Sequence, residues 1–205
     1  MAPSRARLGL LVLVLLVSAR AALADATVPA LQRIRTFETR LRLRVEDGMR
    51  RSATFRALAL RLEQSDLIVY LMYDVCTPPH IAGRLTFLSA TGGVRYVVVR
   101  LRPLGSLTHE IAVLGHELQH AVEIAEHATI VDEQSLARAY MRIGHVNPSM
   151  PQGIGFDTRA AIDVGYQVRR ELGAAGRDVD AVGGGAVRRE AASWSQGALD
   201  GSGVR

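Results

Sequence analysis

The sequence predicts an α+β domain: a small antiparallel or mixed sheet containing a β-hairpin, packed against one long helix and followed by further C-terminal helices. Three observations carry that reading. Apolar runs of strand length gather between residues 67 and 101, and a Gly-Gly pair divides the last two. From residue 107 onward, apolar side chains recur at helical spacing. The chain has 205 residues, 48% hydrophobic and 22% charged, enough for a packed core and not the composition of a disordered chain. A single cysteine, Cys76, excludes an internal disulfide framework.

The N-terminus reads as a targeting segment. Arg5 and Arg7 precede the apolar run Leu8–Val17, and Ala22-Leu23-Ala24 offers a small-residue cleavage site before Asp25. A bilayer span needs about 20 apolar residues, and this run stops well short of that. The expected organisation is a signal peptide over 1–24, a domain over 25–173 and a disordered Gly/Ala/Arg-rich tail over 174–205. The mature protein is expected in the periplasm or secreted, without a stable membrane anchor. The net charge of +5 includes Arg5, Arg7 and Arg20; without them, 22 arginines face 20 acids, a net +2. That near-balance, with 5% aromatic residues, argues against a nucleic-acid partner.

Within the mature chain, Leu31, Ile34 and Phe37 mark a first helical face. Ser52 is placed to cap a clearer helix bearing Phe55, Leu58, Ala59 and Leu62. The run 67–73 (LIVYLMY) reads as a buried strand, and Thr77-Pro78-Pro79 as a loop. Leu85–Ser89 and Arg95–Leu101 bracket Ala90-Thr91-Gly92-Gly93 as a hairpin. A long helix is expected from about Leu107 to Glu126, a second from Asp132 to Ile143, and a third capped by Asp157 and carrying Ala161, Val164, Val168 and Leu172.

The long helix contains His116-Glu117-Leu118-Gln119-His120. Four residues is just over one turn, so both imidazoles project from one face about 6 Å apart along the axis, where one Zn²⁺ can reach both. Glu117, rotated by about 100°, stands beside such an ion and can take a proton from water bound to it. On a helical wheel Ile111, Leu114, Leu118, Ala121, Val122 and Ala125 cluster around Leu107 as one pole, and His109, His116, His120, Glu123 and His127 form the other. A polar helix face is ordinarily just solvated, but four of the chain's six histidines on one face favour a metal site.

The order of strand, hairpin and HExxH helix resembles the core of the zincin metallopeptidases. The resemblance implies a zinc cofactor, a peptide or protein substrate bound along a sheet edge (Arg95–Leu101 or Leu85–Ser89), and Glu117 as general base. The third ligand stays open. The HExxHxxGxxH pattern of the metzincins is absent, since position 123 is Glu and position 126 is also Glu. Glu123 shares the face of His120 and is the first choice, although it can equally orient His120 from behind. Glu133, in the next helix, and Asp157 are the alternatives. His145, Tyr140 and Tyr166 are candidate oxyanion donors. The competing function is an exported, non-catalytic metal- or protein-binding module. Oligomeric state leaves no trace in the sequence.

Overall fold

The structure, a computed structural model, describes residues 30–78, 80–146 and 156–182. Strands β1 (Ile34–Arg35), β2 (Leu67–Tyr73), β3 (Gly83–Thr91) and β4 (Val94–Leu101) form one sheet in the order β1-β2-β4-β3. β1, β2 and β4 run parallel, and β3 is antiparallel to β4 at the edge. The sheet is therefore mixed. Leu67–Val69 and Leu71 are buried because β2 is an interior strand with neighbours on both sides. The hairpin turn is tighter than the sequence suggests. Thr91 pairs with Val94, leaving only Gly92 (φ 58°) and Gly93 (φ 75°) in the turn, a backbone shape that glycine adopts freely.

Helices α1 (Thr39–Arg51) and α2 (Ala53–Glu63) precede β2, and α3 (Leu107–Glu126) follows β4. Ser52 caps α2 by accepting from the Phe55 N–H, and Phe55, Leu58, Ala59 and Leu62 are its buried positions. The expected first helical face is corrected. Ile34 pairs with Val69 in β1, α1 begins only at Thr39, and Phe37 is 98% exposed. Strand pairing outweighs a weak three-residue periodicity.

Helix α3 packs on β2, β3 and β4 with one side and along α5 (Arg159–Val182) with another. Its buried set runs through Glu110–Gly115, Glu117, Leu118 and His120–Ile124, so the polar pole inferred from the wheel faces protein rather than water. Both ends of α3 are clamped. Near the start, Glu110 accepts from Arg40, from Arg44 Nε (2.7 Å), from Tyr73 Oη (3.0 Å) and from the Leu104 N–H (2.8 Å). At the end, the buried Arg95 donates to the carbonyls of Ile124 (2.7 Å), Ala125 (2.9 Å), His127 (2.8 Å) and Ile130 (3.2 Å). Asp66 neutralises that guanidinium through two 2.7 Å hydrogen bonds. A cation satisfying the last carbonyls suits the negative end of the helix dipole.

Helix α4 (Glu133–Ile143) starts with a capping box between Asp132 and Ser135. The short strands β5 (His145–Val146) and β6 (Phe156–Asp157) pair antiparallel and lead into α5. α5 continues to Val182, beyond the domain end expected at residue 173, because Gly173 keeps helical backbone. The expected signal peptide and residues 183–205 lie outside the described residues. Among the described residues no helix is long and apolar enough to cross a membrane.

Candidate metal centre

The motif lies where the fold is tightest. Gly115 lets α5 approach: a Cβ there would stand 3.0 Å from Val168 Cγ2. Gly83 does the same for β3, since its Cβ would fall 2.7 Å from Glu117 Oε1 and 2.8 Å from Val113 Cγ1. These two glycines bring α5 and the edge strand onto the face that carries His116, Glu117 and His120.

Three side chains converge. A nitrogen of His116, a nitrogen of His120 and a carboxylate oxygen of Asp157 all lie within 4.8 Å of one another. Asp157 Oδ1 is 3.4 Å from His116 Nε2 and 3.6 Å from His120 Nε2. Ligands at 2.0–2.1 Å from a tetrahedral ion stand about 3.3 Å apart, so the set fits a divalent metal with small adjustments. Beside it is a cavity of about 180 Å³ lined by His116, Asp157, Ile162, Gly165 and Tyr166.

The His120 imidazole is oriented through its remaining nitrogen. His120 Nδ1 stands 3.0 Å from Glu123 Oε2 and 3.1 Å from Tyr140 Oη. Glu123 also accepts from Tyr140 Oη (2.9 Å) and from Thr158 Oγ1 (2.7 Å). The Ala161 backbone favours the charged form of His116. Glu123, the sequence's first choice as ligand, thus sits behind His120, on the nitrogen turned away from the cluster. An i+3 carboxylate leans on its own helical neighbour more easily than it reaches past it.

Asp157 reaches the site because another residue caps α5. Thr158 Oγ1 accepts from the Ala161 N–H (3.1 Å) and Thr158 O from the Ile162 N–H (3.1 Å), so Thr158 caps the helix where the sequence reading had Asp157 do so. Asp157, one residue earlier on β6, is left to face the histidines. Glu133, at the start of α4, is not among the gathered residues. Tyr166 lines the cavity and Tyr140 is buried against His120, while His145 offers no described side chain.

Burial pushes Glu117 up to about 7; the charge of His120 works the other way, and the Leu85 N–H also favours the carboxylate. Burial and the neighbouring His120 charge hold His116 down at about 4. For His120, burial opposes the charge, but Asp157, Glu123 and Glu117 carry it up to about 10. Glu123 and Asp157 stay below the usual carboxylate range despite burial, Glu123 through His120, Thr158 and Tyr140, and Asp157 through the two imidazoles. These carboxylates favour the protonated form of His120, which a bound cation would have to displace.

His116-Glu117-x-x-His120 with Asp157 matches the zincin arrangement of HExxH plus third ligand, and it makes a protease-like hydrolase site. Comparison with protein families, with curated proteins and with solved structures finds no match. The resemblance therefore rests on the geometry of the site and the mixed sheet beneath it.

Proposed function

We propose that the chain is an exported zinc-dependent metallopeptidase, with zinc held by His116, His120 and Asp157 and with Glu117 as general base. The observation that carries this is the three-ligand cluster with a buried carboxyl beside it, raised to about 7, and a cavity bordering His116 and Asp157. Two imidazoles and one carboxylate suit zinc, and three protein ligands suit a catalytic rather than a structural site. Zinc, when bound, supplies Lewis acidity to a carbonyl and acidifies water. Glu117, tuned to about 7, is matched to accept a proton at neutral pH and pass it on. Export rests on the N-terminal segment read in the sequence.

The edge strand β3 supports a peptide substrate. Ala82 accepts from the Arg102 N–H, so the backbone groups of Gly83, Leu85 and Phe87 turn away from β4 toward the edge that no strand pairs. Glu117 lies against this strand at Gly83, where an added Cβ would fall 2.7 Å from Glu117 Oε1. An extended chain can add along this edge until the bulge at Leu88 breaks the ladder.

Metal analysis of the purified protein should find about one zinc per chain. A mixed peptide library should be cleaved by the wild type and not by Glu117→Gln, which should retain the metal. Metal retained without any cleavage by the wild type would favour the binding module instead.

A further inference from the structure

Helix α5 meets α3 through buried positions and lines a cavity with their neighbours. Ala161, Gly165, Val168 and Leu172 are buried on α5. Ile162 and Tyr166, four residues apart, stand one above the other on that helix. Together with Gly165, His116 and Asp157 they enclose about 180 Å³, and Tyr166 is 45% exposed, so the cavity opens to solvent beside it. Two of its five walls are metal ligands, so a group that enters it lies against the metal centre. The other three walls are aliphatic, backbone and aromatic. The charged pair on this stretch of α5, Arg159 and Asp163, is closed on itself at 3.0 Å and largely exposed.

Helix packing does not require the glycine at 165. A Cβ there would stand 3.4 Å from His116 Cβ, 3.6 Å from the Ala112 carbonyl oxygen and 3.8 Å from His116 Nδ1, which are ordinary van der Waals distances. At Gly115, by contrast, a Cβ would press on Val168 Cγ2 at 3.0 Å. Glycine inside a helix is less favourable than alanine. At Gly165 the missing side chain leaves the cavity deep rather than the helices close.

We infer that this cavity receives one substrate side chain, from a residue flanking the cleaved bond, and selects an uncharged aliphatic group of about leucine size. This rests on the peptidase reading above. Ile162 and Gly165 set the size limit. An apolar cavity of about 150 Å³ takes a six-carbon ring. The space here therefore holds the branched chain of leucine and turns away the bicyclic ring of tryptophan. A charged side chain would lose its water to aliphatic and aromatic walls.

The test uses the full zinc-loaded protein and two peptide series, varied as Gly, Leu, Trp or Glu at the residue just before or just after the cleaved bond. In one series Leu should exceed each of the others by about tenfold in kcat/KM. Ile162→Ala should bring Trp to within about threefold of Leu, and Gly165→Ala should lower the Leu/Gly ratio by about threefold. No Leu preference in either series, or ratios unchanged in both variants, overturns the pocket. A second arm needs no cleavage. In isoleucine-methyl-labelled, zinc-loaded protein, N-acetyl-leucinamide should shift the Ile162 δ1-methyl resonance and N-acetyl-glycinamide should not. An Ile162 methyl unmoved by the leucine compound overturns the proposal. If the wild type cleaves no peptide, the peptidase reading fails while this arm still decides what the cavity accepts.

Discussion

Glu110 and Glu117 are the same residue on the same face of the same helix, two turns apart, and both are buried, at 2% and 5% exposure. Their surroundings are opposite. Glu110 has two arginines, a tyrosine hydroxyl and a backbone N–H, and these hold its carboxyl below the usual range against burial. Among the described residues Glu117 has no such set of donors, and burial lifts it to about 7. The first acid is saturated, and so it fastens α3 to α1 and β2. The second is left short of partners beside three metal-competent atoms, and so its proton is mobile near neutrality. The number of donors around a buried acid, more than its burial, separates a structural carboxylate from a catalytic one.

The two glutamates should fail in different ways. Glu117→Gln should lower peptide hydrolysis by about 10²–10⁴-fold while leaving thermal stability unchanged or raised, because a neutral amide replaces a costly buried acid. Peptidase assays and calorimetry on the same preparation check both halves. Glu110→Gln should instead cost about 2–3 kcal/mol of stability, a value kept low because Arg40 is half exposed. Its denaturation midpoint is the readout, and a variant as stable as wild type would contradict the clamp.

Glu123 lies between the two cases, with its donors supplied by the site itself. Glu123→Gln should weaken zinc binding by about 10–100-fold, as expected for a group that orients a ligand from behind. Competition with a chelator measures it; Asp157→Asn should have the larger effect. Because His120 holds its proton up to about 10, zinc binding at neutral pH should release about one proton and tighten as pH rises toward that value. Titration calorimetry in buffers of different ionisation enthalpy counts that proton. The smallest effect concerns Glu171, which accepts from Ser52 and Thr54 and is held at about 2. A depressed carboxylate contributes stability that is in place above its unfolded value of about 4.5 and is lost as pH falls toward about 2. Glu171→Gln should flatten the acid limb of the stability profile.

Much of this was legible before any coordinates. The limits of α3, the cap at Ser52, strand β2 and the hairpin follow from local periodicity and turn chemistry, and the HExxH spacing alone puts two imidazoles on one face. What the sequence hid depends on distant partners. Asp157 lies 37 positions beyond His120 and is delivered by a two-residue strand and a threonine cap; the only local hint was Thr158, an equally good cap one residue later. Arg95 read as an ordinary strand residue, yet it closes the end of α3. The helical wheel separated apolar from polar faces correctly but could not show that α5 would cover the polar one.

The central claim is the identity of the metal centre. Anomalous diffraction at the zinc edge from crystals of the zinc-loaded protein tests it most directly. The account predicts one strong peak about 2.0–2.2 Å from His116 Nε2, His120 Nε2 and an Asp157 carboxylate oxygen, with Glu123 remaining on His120 Nδ1. A peak ligated by Glu123 in place of Asp157, or no zinc between the two histidines, would contradict it.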